Sequence, residues 1–230
     1  MTSPQTTPLA LFDLDNTLLD GDGDDLWCRF LVRHGLVEPT LRERNEQIGA
    51  DYRSGRVSVE AFSEFYASLL AGRSPADWCP WQTRFLLEEI QHRLPVAARA
   101  LVASHRAAGH LLVLTTASNR VIAERTAAEL GFEHCLATEL ELVDGVFSGQ
   151  VCGVPNMREG KLERMLTWLA QQGLPPDTLE SAYFYSDSIN DLPLLSNVGQ
   201  PIAVNPDAQL HQHAMSSGWR VLDVLGRVEV

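Results

Sequence analysis

The sequence predicts an α/β fold, a parallel sheet with flanking helices and a helical bundle inserted between its first two strands. Strand-like apolar runs recur at Leu9 to Leu14, Leu111 to Thr115, Cys135 to Thr138, Ala182 to Tyr185 and Pro201 to Val204, with helical patterns between most of them. Alternation of that kind produces parallel strands joined by crossover helices. The interval Asp24 to Leu94 has no comparable run and carries helix-length amphipathic stretches instead. With 230 residues and 45% hydrophobic content, the chain can build one substantial core plus a smaller appended unit.

In chain order, residues 1–8 are polar, hold two prolines and lack the charged start and apolar run of a signal peptide, so a disordered tail is expected there. Residues 9–20 begin the core. Residues 21–94 form the cap, with helices expected at Leu26 to His34, Leu41 to Ser54, Val59 to Leu70 and Trp81 to Arg93. Gly55, Gly72 and Pro75 are read as stops between them, and Pro80 as part of the last helix's first turn. Residues 95–230 complete the core. Within them Glu139 to Gly149 alternates and is interrupted by Asp144-Gly145, a β-hairpin signal. Gly131, Gly173 and Pro175-Pro176 mark helix ends.

A formal net charge of -12 argues against nucleic acid and anionic membrane as partners, because both need a surplus of Lys and Arg. No apolar stretch approaches the ~20 residues that span a bilayer, so a cytoplasmic protein, monomer or homodimer, is expected. Cys28, Cys79, Cys135 and Cys152 are far apart and read as reduced thiols rather than zinc ligands or disulfides. His211 and His213, two apart, would point to different faces of a helix and read as surface histidines.

Asp13-Leu14-Asp15-Asn16-Thr17 follows the apolar run Leu9 to Phe12, which sets two carboxylates where a buried strand ends. Ligands bind at the carboxyl ends of parallel strands. One carboxylate there can attack phosphorus while the second handles protons, and a divalent cation suppresses their repulsion. Thr116 follows the run Leu111 to Leu114, Lys161 stands in Glu159-Gly160-Lys161, and Ser186-Asp187-Ser188-Ile189-Asn190-Asp191 follows Ala182 to Tyr185. In this order and at these separations the four pieces resemble the four motifs of the haloacid dehalogenase-like superfamily. The resemblance runs from about Leu9 to about Val224. It is nearest the branch of phosphoserine and histidinol-phosphate phosphatases, which implies a Rossmann-like sheet with a helical cap between the first and second motifs.

What the resemblance implies is a Mg²⁺-dependent phosphomonoester hydrolase acting on a small phosphorylated metabolite through an aspartyl-phosphate. Asp13 would be the nucleophile and Asp15 the acid and base. Mg²⁺ would be held by the Asp13 side chain, the Asp15 carbonyl and the Asp187 side chain, with Asp191 ordering a metal-bound water. The Thr116 hydroxyl with the following N–H groups from Ala117 onward, together with Lys161 and Asn190, would meet the phosphoryl group. Ser186 stands where many relatives carry glycine. An EF-hand loop starting at Asp20 would need glycine sixth and glutamate twelfth, and the chain has Asp25 and Leu31, so the aspartates at 20, 22 and 24 read as an acidic hinge with Asp22 facing substrate. Matching the family's cap through Ser68-Leu69-Leu70 puts Tyr66 where phosphoserine phosphatases carry a carboxylate-binding arginine, with Arg56 or Arg73 as substitutes. The resulting expectation is histidinol phosphate, the alternatives being phosphoserine and a non-catalytic phospho-aspartate signalling module.

Overall fold

The computed structural model describes residues 8–226. The expected tail therefore lies outside the described residues except for Pro8, whose carbonyl accepts from Leu111 N at 3.0 Å. Strand β1 (Leu9–Phe12) leads into the cap, built from α1 (Gly23–Arg33), α2 (Leu41–Arg53), α3 (Val59–Ser68) and α4 (Pro75–Phe85), the last running on through a π-helical turn and a 3₁₀ turn to Arg93. The chain then forms α5 (Val96–Ala107), β2 (Leu111–Asn119), α6 (Arg120–Glu129), β3 (His134–Thr138), β4 (Leu140–Val143), β5 (Val146–Val151), α7 (Glu159–Gln171) and β6 (Tyr183–Ser186). It ends with α8 (Leu192–Leu195), β7 (Gln200–Val204), α9 (Ala208–Ser217) and β8 (Arg220–Leu222).

Six parallel strands form one sheet in the order β3-β2-β1-β6-β7-β8. β1 is central and buried on both faces, which is why its four residues are all apolar. Successive side chains leave a strand on opposite faces. Ala10 and Phe12 accordingly join the core under α5, α6 and the cap, while Leu9 and Leu11 join the one under α7, α8 and α9. Between β1 and β6 the strand order reverses, the crevice in which open α/β sheets bind ligands.

The cap is not a loose appendage. Trp27, Phe30, Trp78 and Phe85 share one continuous core with Phe12, Leu112 and Leu114 of the sheet. Asp20 N donates to Arg93 O at 2.8 Å and ties the two crossover points together. The expected hairpin forms as β4-β5, with Asp144 at φ 51° and Gly145 at φ 81°, the positive pair that a two-residue type I′ turn requires. Its Phe147 exchanges backbone bonds with Gly72 (2.9 Å) and Arg73 (3.0 Å), clamping the cap from the core side.

Two elements differ from expectation. The fourth cap helix starts at Pro75, because Ser74 and Asp77 close a capping box (2.9 and 3.2 Å) that fixes the start six residues earlier than Trp81. Pro80 thus lies inside the helix, and Pro75 takes the first-turn position assigned to it. β8 was not expected; it is a short edge strand whose pattern is too brief to stand out.

Candidate active site

β1 and β6 deliver their carboxylates side by side. Asp13 N donates to Tyr185 O at 2.9 Å, extending the β1-β6 ladder by one bond before Asn16, at φ 55°, turns the chain away. Lys161, third residue of α7, reaches this point from below the sheet with its side chain 2% exposed, and Nζ donates to Asp13 Oδ1 at 2.9 Å and to Asp191 Oδ2 at 2.7 Å. The ammonium is thus shared between the first and fourth motifs. Burial alone would lower its pKa, but Asp13 and Asp191 outweigh burial and hold it above the ordinary value.

Asp15 is fixed by Gly23 N (2.7 Å), Ser118 Oγ (2.9 Å) and, at 3.4 Å, Thr116 Oγ1. Burial first, then repulsion from Asp22 and Asp13, pushes its carboxyl up to about 8, while burial, partly offset by Lys161, pushes Asp13 to about 6. Asp15 is therefore displaced upward further than Asp13, which alone of the two has the ammonium beside it. Asp187 rises to about 9 through burial and the repulsion of Asp13 and Asp191. Thr17, to which the sequence assigns no role, is fully buried and donates towards Asp13 Oδ2 (3.3 Å) and Asp187 Oδ1 (3.5 Å).

A cavity of about 190 Å³ opens over these groups. Its walls include Asp13, Asp15, Asp22, Asp187, Asn190, Asp191, Ala117 and Lys161 among the expected residues. Thr116 is fully buried behind this wall, its hydroxyl accepting from Ser118 N at 3.2 Å, so Ala117 rather than the threonine hydroxyl faces the space. Asp191 has one oxygen taken by Lys161 and by Ser186 Oγ (2.6 Å), so the serine that replaces glycine here helps to hold it.

Tyr66 does not reach the cavity. Its hydroxyl donates to Asn45 Oδ1 at 3.0 Å inside the small cap core of Cys28, Leu41 and Tyr66, where helix packing rather than sequence offset decides which face turns inward. Arg56 pairs with Asp51 (2.6 Å) and Arg73 lies over the Trp78 ring (4.8 Å), so neither substitutes for an arginine at the site. The groups that do line it and were not anticipated are Asn16, Asp24, Tyr52, Phe62, Met157, Arg158 and Ser188. Asn156, also missed, is fully buried, and its Nδ2 serves Thr115 Oγ1, Thr116 O and Leu136 O at 2.9–3.0 Å, joining the third-motif loop to the second.

Size does not pick out this site. A larger hollow of about 600 Å³ lies beside β3, among Arg120, Glu139, Arg164 and Trp168, and none of the expected site residues borders it. There Arg120 and Arg164 pair with Glu139 and donate to Cys135 O and Ala137 O, covering the open edge of the sheet. The cavity at β1 and β6 is chosen by its convergence of a buried ammonium and carboxyls with displaced pKa values.

Residues 10–196 match the family described as haloacid dehalogenase-like hydrolase. The chain is 38% identical over 217 residues to the histidinol-phosphatase of Neisseria meningitidis, covering 94% of this chain and 98% of that one. It is 33% identical over 228 residues to phosphoserine phosphatase SerB1 of Mycobacterium tuberculosis, covering 94% of this chain and 71% of that one. A crystal structure of a Bordetella pertussis protein with unknown function superposes with TM-score 0.91 at 41% identity, over 96% of this chain and 100% of that one. A phospho-aspartyl intermediate analogue of phosphoserine phosphatase shares the fold at TM-score 0.67 and 19% identity, over 95% of this chain and 94% of that one. The chain belongs to the haloacid dehalogenase-like hydrolases and is one of their phosphatases.

Proposed function

We propose that the cavity between β1 and β6 hydrolyses a small amino-alcohol phosphate, histidinol phosphate being the best candidate, with Asp13 as nucleophile and Asp15 as acid and base. The observation that carries the reading is Lys161 spanning Asp13 and Asp191 directly beneath the cavity that Asp15 also lines. Asp13 attacks phosphorus as the bond to the leaving oxygen breaks, and Asp15 gives that oxygen its proton. Asp15 then takes a proton from the water that attacks the aspartyl-phosphate, and phosphate leaves as the Asp13–phosphorus bond breaks. Ser118 and Gly23 N keep the Asp15 carboxyl aimed during both transfers.

The donor set suits Mg²⁺. Among the described residues no three Asp, Glu, His or Cys side chains group closely enough to hold a metal alone. The set inferred here is two side chains, Asp13 and Asp187, with the Asp15 carbonyl, and Asp191 nearby. Buried carboxyls outnumber the one ammonium, and burial and mutual repulsion raise Asp13, Asp15 and Asp187, a charge arrangement that a divalent cation would relieve. When bound, Mg²⁺ would neutralise charge on the phosphoryl oxygens.

Substrate class is inferred from the walls. Asp22 and Asp24 offer carboxylates to an ammonium, and Tyr52, Phe62 and Met157 offer an aromatic and apolar surface to a flat ring. Such a site suits the leaving group of histidinol phosphate. The four cysteines are free thiols, which suits a reducing, cytoplasmic setting. The test is a competition between histidinol phosphate and phosphoserine for purified enzyme in Mg²⁺, with Asp13→Asn alongside. A higher kcat/KM for phosphoserine rejects the substrate, and turnover by Asp13→Asn rejects the site.

A further inference from the structure

Resting on that assignment of the cavity, we infer that Arg158 and Tyr52 form a clamp, one jaw on the core and one on the cap, for an anionic oxygen of the bound ester. Arg158 ends the loop before α7 and Tyr52 lies near the end of α2, so the pair bridges the two halves of the molecule. Both line the cavity. The guanidinium carbon sits 4.8 Å from the Tyr52 ring centroid, a cation–π contact that orients the arginine and leaves Nε without an acceptor.

The two side chains carry unmatched donors. Arg158 Nε and the Tyr52 hydroxyl are both buried; the guanidinium lies close enough to the hydroxyl to act on its pKa, but neither Nε nor the hydroxyl proton has an acceptor. Tyr52 is only 7% exposed, so water does not readily supply one. A buried donor without an acceptor is costly, and two in one wall of one cavity call for an acceptor from outside the chain. No carboxylate pairs with Arg158 among the ion pairs of the described residues, although Glu159 is its neighbour in sequence. Lys161, by contrast, already has two of its three donors taken by Asp13 and Asp191.

Backbone geometry keeps the arginine where it is. Arg158 adopts φ 50°, ψ -126°, a conformation that L-residues rarely take, two residues after the buried Asn156 anchor. The loop therefore holds a side chain with a fixed positive charge at the mouth of an acidic cavity, and an oxyanion is the chemistry that satisfies both donors at once. Two sources of that oxyanion exist among the candidate esters, the phosphoryl group common to all and the leaving-group carboxylate of phosphoserine.

Three variants, Arg158→Met, Arg158→Lys and Tyr52→Phe, distinguish them, read as kcat and KM on p-nitrophenyl phosphate, histidinol phosphate and phosphoserine, and as the inhibition constant of inorganic phosphate. Arg158→Met keeps the aliphatic stem, and Tyr52→Phe keeps the ring beneath the guanidinium, so folding is checked by an unchanged melting curve. Loss of a charge-assisted hydrogen bond corresponds to roughly 10- to 100-fold in kcat/KM for Arg158→Met, with a smaller loss in Tyr52→Phe and partial rescue by lysine. Equal losses on all three esters, with weaker phosphate inhibition, assign the clamp to the phosphoryl group. A loss confined to phosphoserine assigns it to a carboxylate. Wild-type constants for folded Arg158→Met on every ester and on phosphate overturn the clamp, and Asp13→Asn run in parallel separates that result from failure of the site itself. If Arg158→Met does not fold, Tyr52→Phe decides on the same constants.

Discussion

Replacing Lys161 with methionine removes one charge and keeps most of the side-chain volume, so it isolates the electrostatic centre of the site. At an effective dielectric of about 20, each contact of just under 3 Å represents roughly 6 kcal/mol of attraction, offset by the several kcal/mol needed to desolvate each ion. The net cost of breaking such a buried pair is about 3–5 kcal/mol. Its pH dependence follows from the partners. The ammonium is charged at every pH below its unfolded value of 10.5, so titration of the lysine contributes nothing between pH 5 and 8. Asp13 is already raised to about 6 with the lysine in place, and without it Asp13 must take up a proton or remain unpaired. The loss should therefore grow as pH rises. Urea unfolding in chelator at pH 5 and pH 8 measures it: about 3–5 kcal/mol is expected at pH 8 and less at pH 5. Turnover should fall by roughly 10²–10³, as when a preorganised charge is removed from a transition state. A loss below about 1 kcal/mol, or one equal at both pH values, would refute the argument that Lys161 balances these two carboxylates.

Chelated wild-type protein should become less stable as pH rises from about 7 to about 9. Asp15 and Asp187 are raised to about 8 and 9, so the folded state binds more protons than the unfolded chain there and the slope of stability with pH is negative. His105, held down to about 4 by burial and by His110, has the opposite effect between about 4 and its ordinary 6.5, which is why the test sits above pH 7. Mg²⁺ should flatten the slope, and a melting temperature that climbs with pH in chelator contradicts the prediction. Gly160→Ala would place a Cβ 2.3 Å from Pro155 O, a backbone atom that cannot swing aside, so roughly 1–3 kcal/mol of stability and much of the activity should be lost; wild-type melting would show that the loop yields. Asn156→Asp replaces a fully buried donor with a carboxylate oxygen that faces the same three acceptors, so a loss of about 2–3 kcal/mol is expected in urea unfolding. An unchanged midpoint would mean that the amide is not the tie between the second- and third-motif loops.

The sequence by itself determined the architecture and the chemical centre of this protein, because both depend on patterns local to the chain. Leu9-Ala10-Leu11-Phe12 has to be a strand buried on both faces, and a carboxylate placed directly after it has to emerge at the sheet's binding edge. Asp144-Gly145 supplies both positive φ values of its turn, and Asp13, Asp15, Lys161, Asp187, Asn190 and Asp191 all reached one cavity. What lines the cap side was decided only by tertiary structure. Tyr66 and Tyr52 are both tyrosines on amphipathic cap helices, but helix packing turns Tyr66 to Asn45 and Tyr52 to the cavity, and the sequence offset that favoured Tyr66 carries no information about that rotation. Ser118 and Asn156 could not be singled out either, since each acts through partners from 18 to 103 residues away. Arg158 carries no local signal at all: only the packing of α2 against the third-motif loop leaves its guanidinium stacked on a ring, without a carboxylate, at the mouth of an acidic cavity.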